Sequence, residues 1–342
     1  MRVDEFDYYL PPELIAQTPL EKRDDSRLLV LDRQSGSISH KTFRDVLDYL
    51  DAGDLLVVND TRVLPARLLG RRETGGKVEA LLLKEIGQDR WECLVKPGHK
   101  TRIGDKLFFG DEETALIGTV VSRTDYGGRA ISWTYEGRWE DVIQRLGKMP
   151  LPPYIKTSLR DPERYQTVYA KVPGSAAAPT AGLHFTPSLL GQVKQKGCLV
   201  HAVTLNVGIA TFRPVKEENV EEHRIHEEYI VVDKGVSQAV SDLRIRGGDL
   251  FAVGTTVVRS LESASAGHGT IREMAGDTDL FIFPGFRYSV VDHLITNFHL
   301  PKSTLLMLVS AFAGKELIME AYRQAVNERY RFFSFGDAML IL

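Results

Sequence analysis

The chain has 342 residues, a formal net charge of −3, 43% hydrophobic residues and 26% charged residues. This composition indicates a globular protein of about two domains and excludes a largely disordered chain. The two cysteines exclude a disulfide scaffold and a four-thiolate zinc site. We expect no signal peptide after residues 1–5 and no membrane span, because the apolar run at 305–313 is shorter than the ~20 residues that a bilayer requires. The expected compartment is the cytoplasm.

The first 60 residues predict strands around a short helix. Residues 26–32 are apolar between turn-forming residues, which predicts a strand. Apolar residues at 43, 46, 47 and 50 follow one helical face, and Gly53 ends that helix. Residues 54–59 then predict a buried strand.

Residues 62–150 consist of short apolar segments separated by glycines, a pattern typical of a small β-barrel. The predicted strands are 66–70, 78–84, 91–95, 106–109, 115–122 and 129–135, followed by a helix over 139–146. Residues 61–150 hold 16 Lys and Arg against 13 Asp and Glu, which favours a surface that faces a polyanion. Random scatter of surface charge is the alternative. The proline-rich stretch 149–154 predicts an extended junction.

The remainder of the chain alternates helices with strands, which predicts an α/β layer. Predicted helices begin at Thr186, Lys234, Thr255, Leu305 and Leu317, and predicted strands cover 199–205, 249–253 and 280–283. The fold class that follows is an α/β main domain with an inserted small β-barrel domain. We place the main domain at 1–61 plus 152–342 and the insertion at 62–151.

Two motifs predict ligand-binding turns. The segment 176–186 is rich in small residues and precedes a helix start, where free N–H groups suit an anion, with His184 at its edge. A tightly packed turn with a capping histidine is the alternative. The segment 253–262 runs from a buried strand through Gly254, Thr255 and Thr256 into a helix, the usual place for a ligand at an α/β sheet edge. Arg259 and Glu262 one turn later could also form only an ion pair.

Three further clusters carry polar or aromatic groups. Residues 296–304, with Asn297 and His299, precede a capped apolar helix, and a buried satisfied histidine is the alternative to a functional one. Aromatic residues of the stretch 330–339 flank Arg331 and Asp337 and could stack a base. The alternative is that this stretch is a terminal strand that packs on the core. Residues 222–229 contain His223 and His226, but the spacing does not match HExxH, so a solvated segment is favoured over a metal site.

Taken together, these fragments resemble the S-adenosylmethionine:tRNA ribosyltransferase-isomerase family of queuosine biosynthesis. The matching stretches span nearly the whole chain in order: 59–63, 149–155, 165–169, 177–186, 211–215, 253–262, 284–285, 295–304 and 330–341. The chain departs from the family pattern at four positions: Asn206, Ala210, Glu227 and Val257.

The resemblance implies transfer and isomerisation of the ribosyl group of S-adenosylmethionine onto a 7-aminomethyl-7-deazaguanine base at the wobble position of tRNA. Epoxyqueuosine-tRNA, adenine and methionine are the implied products. S-adenosylmethionine is consumed as a substrate, and no cofactor or metal is expected. The implied partners are precursor-containing tRNA and S-adenosylmethionine, with the chain acting as a monomer.

On this basis we predict three sets of site residues. The catalytic candidates are His184, His299, Glu262 and Asp337. The substrate-binding candidates are Thr180, Gly182, Gly254, Thr255, Thr256, Arg259, Asn297 and Arg331. The tRNA-binding candidates are Arg62, Arg67, Arg71, Arg72, Lys96, Lys100 and Arg102. Two rival functions are an RNA-binding protein without catalysis and a metal-dependent nucleoside hydrolase that uses His223 and His226.

Overall fold

The structure is a computed structural model and describes residues 1–111, 116–208, 215 and 217–342. Its contacts divide the chain into two compact units. The main unit comprises Met1–Thr61, Pro152–Val172 and Ala178–Leu342. The barrel unit comprises Arg62–Leu151 and Pro173–Ala177.

The described ranges contain strands, α-helices and short 3₁₀ helices. The strands are β1 Arg27–Leu31, β2 Ile38–Thr42, β3 Leu55–Asn59, β4 Thr61–Val63, β5 Arg67–Arg72, β6 Lys77–Gly87, β7 Arg90–Lys96, β8 Lys106–Phe109, β9 Leu116–Arg123, β10 Arg129–Thr134, β11 Gly147–Lys148, β12 Val172–Ser175, β13 Leu199–Leu205, β14 Glu228–Val232, β15 Leu250–Val253, β16 Ser265–Gly267, β17 Thr270–Ile271, β18 Met274–Thr278, β19 His293–Asn297 and β20 Ala338–Ile341. The α-helices are α1 Trp139–Leu146, α2 Pro187–Gln195, α3 Lys234–Arg246, α4 Thr255–Ser263, α5 Thr304–Ala313 and α6 Lys315–Asn327. The 3₁₀ helices are Val3–Phe6, Pro12–Leu14, Arg23–Asp25, Phe43–Tyr49, Gly98–Lys100, Pro162–Tyr165, Thr180–His184 and Val220–Glu222.

The main unit is built on one mixed sheet of nine strands in the order β18-β14-β13-β3-β15-β19-β20-β1-β2. The central strands β13, β3, β15 and β19 are parallel. Alternate residues of β3 enter different cores: Leu55 and Val57 pack with α3 to α6, whereas Leu56 and Val58 pack with Phe43 and α2. Both faces of the sheet are therefore covered, which explains why β3 is apolar at nearly every position.

The barrel unit is a closed sheet of six strands. They follow the order β5-β6-β7-β10-β9-β8, and pairing of β8 with β5 completes the circle. Inward-facing side chains fill the interior, and Trp91 stacks on Trp139 of α1 at a ring-centroid distance of 5.7 Å. Gly118 is required by close packing, because a Cβ there would lie 2.8 Å from both Ile131 and Trp133.

The predicted α/β fold with a barrel is confirmed, α1 has the predicted bounds, and α3 begins at the predicted residue. The predicted strand at 280–283 is wrong, because β18 ends at Thr278 and the following residues form a loop. The predicted helix near Phe43 is a 3₁₀ helix. Ala115, the first residue of a predicted barrel strand, lies outside the described residues. In the described part of the chain, each helix is too short or too polar to cross a membrane.

Candidate active site

A cleft in the main unit lies where β15 and β19 end. Gly254 follows β15, and Asn297 is the last residue of β19, so two neighbouring parallel strands deliver these residues to one sheet edge. The cleft encloses about 670 Å³ of space, open solvent included. Its walls come from six separate stretches of the chain: Tyr154; Ala178–Ala181; Val207; Gly254–Thr256; Thr296–Leu300 with Ser303 and Leu305; and Phe333 with Ser334.

Two helices begin at this cleft. Gly254 caps α4 with a φ of 95°, a conformation that glycine adopts without strain, and Thr255 and Thr256 form the first turn. Ser303 caps α5, where its hydroxyl accepts a hydrogen bond from the Leu306 N–H at 3.2 Å. The amino ends of both helices carry a partial positive charge and free N–H groups. This edge is therefore suited to a carboxylate or another anion.

Asn297 is held in one orientation at the wall of the cleft. Its Nδ2 donates to the Phe333 carbonyl at 2.9 Å and lies 3.3 Å from His184 Nε2. Because a carbonyl only accepts, the nitrogen of the amide must be on this side, and its second hydrogen points to His184. Asn297 Oδ1 is then left buried without a hydrogen-bond partner among the residues that the structure describes. It is an acceptor available to a ligand.

This arrangement indicates that the imidazole of His184 is neutral. Its Nε2 accepts from Asn297, so Nδ1 carries the proton and donates to Ser26 Oγ at 2.7 Å. Burial lowers the pKa of His184 to about 3. The ring stacks on Phe43 and does not line the cleft; it lines a second cavity on the other side of Asn297.

His299 is the histidine that lines the cleft itself. Its Nε2 lies 2.9 Å from Thr296 Oγ1, and burial lowers its pKa to about 3. Its backbone is fixed from two sides, since the N–H donates to Tyr322 Oη at 2.9 Å and the carbonyl accepts from Tyr8 Oη at 2.5 Å. The cleft thus contains an uncharged imidazole in a rigid position.

Aromatic rings form another part of the wall. Tyr154 and Phe333 contact each other at 4.9 Å between centroids, and Tyr154 Oη lies 2.7 Å from Ser334 Oγ. Phe333 has a φ of 70°, which is strained for a bulky residue and orients the carbonyl that holds Asn297. Such rings can stack a purine or face a cation.

Arg259 is buried and lies outside the cleft lining, held by several partners. It forms an ion pair with Glu228 and donates to the Leu280 carbonyl at 3.0 Å. The other carboxylate oxygen of Glu228 accepts from the Gly208 N–H at 2.8 Å, next to Val207 of the cleft wall. The alternative of an ion pair with Glu262 is not found, because Arg259 pairs with Glu228 instead.

The two predicted catalytic carboxylates also have backbone partners. Glu262 accepts from the N–H groups of Ser289, Val290 and Val291. Asp337 accepts from the N–H groups of Arg27 and Arg331 at 2.9 and 2.8 Å, and burial raises its pKa. Both carboxylates lie outside the lining of the cleft.

Of the other predicted substrate residues, Thr180 lines the cleft, whereas Gly182 and Arg331 do not. A Cβ at Gly182 would lie 2.0 Å from Tyr169 Oη, so this glycine serves close packing. Arg331 donates to the Thr18 carbonyl, and its Nη1 is buried without a partner in the described part of the chain.

The departures from the family pattern lie in different surroundings. Asn206 accepts a hydrogen bond from Thr61 Oγ1 at 2.8 Å. Val257 is fully buried in the core formed with α3 to α6, away from the cleft lining. Glu227 is exposed. Ala210, like most of the matching stretch at 211–215, lies outside the described residues.

The predicted RNA-binding cations belong to the barrel unit. Arg72 donates to the Lys100 carbonyl at 3.3 Å, which brings these two together. Arg67 lies 3.2 Å from Glu79 and donates to the Leu151 carbonyl. The remaining predicted residues are exposed or half-buried: Arg62, Arg71, Lys96 and Arg102.

No group of three His, Cys, Asp or Glu side chains in the described ranges is close enough to hold a metal ion. His223 is paired with Glu217 at 2.7 Å.

Sequence reasoning missed several residues of the cleft wall. Tyr154 was part of the proline-rich junction, and Phe298 and Ser303 were in a recognised motif without a role. Val207 gave no signal of its own, because apolar residues are typical of any core. Phe333 lay in the aromatic stretch 330–339, which was predicted as a possible base-stacking element.

The fold and the cleft define an α/β protein with a ligand site at the carboxyl edge of its sheet and a β-barrel within its chain. The chain belongs to the family described as queuosine biosynthesis protein, whose family model matches residues 3–341. The resemblance found in the sequence is thereby confirmed.

Individual relatives agree with this assignment. The chain is 59% identical to the S-adenosylmethionine:tRNA ribosyltransferase-isomerase of Symbiobacterium thermophilum and 57% identical to that of Carboxydothermus hydrogenoformans, over the full length of both chains in each case. It is 41% identical to the S-adenosylmethionine tRNA ribosyltransferase crystal structure from Thermotoga maritima. That match covers 99% of this chain and 100% of the other, with a TM-score of 0.57.

Proposed function

We propose that the chain transfers and isomerises the ribosyl group of S-adenosylmethionine onto the 7-aminomethyl-7-deazaguanine base at the wobble position of tRNA. Epoxyqueuosine-tRNA forms, and adenine and methionine leave. The observation that carries this proposal is the cleft at the ends of β15 and β19, in a chain 59% identical to a relative of that name over its full length. S-adenosylmethionine is a substrate here, and the proposal requires no cofactor or metal.

The cleft offers complementary groups for each part of S-adenosylmethionine. The methionine carboxylate would accept from the free N–H groups at the starts of α4 and α5, beside Thr255 and Ser303. The rings of Phe333 and Tyr154 would face the sulfonium or stack on adenine. Asn297 Oδ1 would accept from an amino or hydroxyl group, which removes the cost of a buried acceptor without a partner.

His299 is the acid–base residue of the proposal. The reaction requires removal of a proton from the ribose carbon attached to sulfur, and the positive sulfur already acidifies that proton. A neutral imidazole that lines the cleft can accept it at a ring nitrogen. His184 acts as a positioning residue, because its lone pair holds Asn297 and the ring lies outside the cleft.

The other predicted residues take different parts. Thr180, Gly254 and Thr256 line the cleft and remain in the substrate-binding set. Arg259, Glu262 and Asp337 take structural roles, because their charged groups are already engaged by the chain. Gly182 provides close packing.

The barrel cations and the partner RNA form the second half of the proposal. We assign Arg62, Arg67, Arg71, Arg72, Lys96, Lys100 and Arg102 to tRNA phosphates. Each phosphate contact makes binding weaker as salt rises. A binding constant that does not change with salt would contradict this assignment.

The proposal extends to organisation. We propose domains at 1–61 plus 152–342 and at 62–151, and the separation of the contacts into two units supports this division. We further propose a monomer in the cytoplasm, which is compatible with two buried free cysteines. Sedimentation of the purified chain tests the monomer.

The test is release of adenine from S-adenosylmethionine by the purified chain, without added metal. Adenine should appear with precursor-containing tRNA and be absent when the tRNA carries ordinary guanine at the wobble position. Tight tRNA binding without adenine release would indicate an RNA-binding protein instead. Loss of activity with a chelator would favour a metal-dependent hydrolase.

A further inference from the structure

A second cavity lies beside the cleft in the main unit. It encloses about 300 Å³ of space, open solvent included. Its lining includes Arg23, Arg164, Ser26 and His184. Ser334 lines both cavities, and the contact between His184 and Asn297 forms a wall that they share. The two cavities are therefore neighbours.

Two guanidinium groups of this cavity have no carboxylate partner in the described ranges. Arg23 donates to the carbonyls of Leu183 and Glu163 at 3.2 and 3.1 Å. Arg164 donates to the carbonyls of Glu21 and Leu20 at 3.3 and 2.5 Å. Neither guanidinium lies within 4.0 Å of a carboxylate oxygen of the described residues. Each uses only part of its five donors, and Arg164 Nε is buried without a partner in the same ranges.

The surroundings of Arg23 are unfavourable for its positive charge. Burial and the neighbouring charge of Arg164 lower the pKa of Arg23, although Asp161 and Glu163 act in the opposite direction. Arg331 adds a third positive charge that acts on His184, and its Nη1 is also buried without a described partner. Fixed, half-buried arginines with unused donors are the usual recognition element for a bound oxyanion.

We propose that this cavity binds a phosphodiester group of the RNA substrate, held by Arg23 and Arg164. The inference rests on the proposed function, because that function brings a nucleotide base to the adjoining cleft. In RNA, the sugar that carries each base is joined to the next sugar by a phosphodiester group. Two guanidinium groups can bind the oxygens of that phosphate through several hydrogen bonds. The site would fix the register of the RNA backbone while the base reaches the adjoining cleft.

The experiment measures binding of a precursor-containing anticodon stem-loop to the full chain over a range of salt concentrations. The test variant is Arg23→Gln with Arg164→Gln, and the matched control is Arg160→Gln, which removes an exposed charge from the same stretch of chain. The double substitution should weaken RNA binding by about 10- to 100-fold. The slope of log K against log salt is negative and should become less steep by about 0.7. The control should change both by little.

A second stem-loop, with a neutral methylphosphonate beside the wobble nucleotide, identifies the contact. The wild type should bind this modified RNA as weakly as the double variant binds normal RNA. Combining the modified RNA with the double variant should cause no further loss of affinity. Affinity for S-adenosylmethionine and the thermal midpoint of unfolding are measured in parallel. We expect both to stay close to the wild-type values.

Three results would overturn the inference. Loss of S-adenosylmethionine affinity with unchanged RNA binding would mean that the cavity holds a substrate carboxylate. An unchanged RNA salt slope in a folded variant would mean that the arginines only tie loops together. An equal slope loss in Arg160→Gln would mean a general effect of net charge. Adenine release by the wild type is unaffected by any of these, so failure of the proposed function is recognised separately.

Discussion

The buried ion pair between Arg259 and Glu228 allows a quantitative test of how the cleft wall is held. Both residues are about 4% exposed, and Arg259 also donates to the carbonyls of Leu280 and Thr278. Replacing Glu228 with Gln keeps an oxygen for the Gly208 N–H but leaves a buried guanidinium uncompensated. Removing one partner of such a pair costs about 3–5 kcal/mol, whereas neutralising both is often tolerated. We expect Glu228→Gln and Arg259→Met each to lose that amount.

Urea unfolding of both single variants and of the double variant measures this effect. The double variant should be more stable than the sum of the single losses predicts, by about 2 kcal/mol or more. Adenine release by the double variant should exceed that of Arg259→Met, because the neutral amide at position 228 would still hold Gly208 beside the cleft without a buried, unpaired charge. Single variants within about 1 kcal/mol of wild type, with additive effects in the double variant, would refute the reasoning that these charges are desolvated.

Three further predictions concern the cleft and its histidines. Replacing His299 with Gln should lower kcat by about 10²- to 10⁴-fold, the range for a general acid–base group, and the same change at His184 should have a smaller effect on kcat; equal losses would contradict the separation of their roles. Both histidines are neutral in the folded protein, with a pKa of about 3, against about 6.5 in the unfolded chain. Their contribution to the free energy of unfolding should therefore be constant above pH 6.5. Below that pH the unfolded chain binds the protons, so stability should fall by about 1.4 kcal/mol per pH unit per histidine as the pH is lowered towards 3. Urea midpoints at pH 7.5, 6 and 5 check this, and a comparison with His299→Gln cancels the opposite contribution of Asp337, whose pKa burial raises. Replacing the helix cap Ser303 with Ala should lower the free energy of unfolding by about 1 kcal/mol, and Asp233→Ala at the start of α3 should lower it equally. Only Ser303→Ala should raise KM for S-adenosylmethionine, because Ser303 lines the cleft. Equal KM values in the two variants would contradict an anion at the start of α5.

Local patterns predicted those parts of the fold that depend on nearby residues. Thr186 and Pro187 begin α2, as a cap and a first-turn proline predict, and Gly247 ends α3 in the left-handed conformation. Strand β18 gave no such signal, since its sequence of small and polar residues acquires strand structure by pairing with β14. The apolar run at 280–283 misled the prediction, because its phenylalanines pack on the core from a loop.

The site followed the same division. The turn at Gly254 and the motif around Asn297 were recognisable, because a strand that ends in polar residues before a helix is a local pattern. The partner of Arg259 was not, since Glu228 is 31 residues away and Glu262 offered a plausible local alternative. The orientation of Asn297 depends on Phe333 and His184, which only the tertiary fold brings to it.

The chain enters and leaves the barrel at neighbouring positions, and this affects how the barrel segment could be replaced as a unit. Strands β5 and β11, near the two ends of the insertion, pair antiparallel, with Arg67 opposite Lys148. Antiparallel partners are about 5 Å apart, so the excursion returns close to the position where it departs. A segment with this arrangement is modular in the genetic sense. One contiguous stretch of coding sequence specifies a sheet closed on itself, and replacing that stretch would exchange the whole barrel.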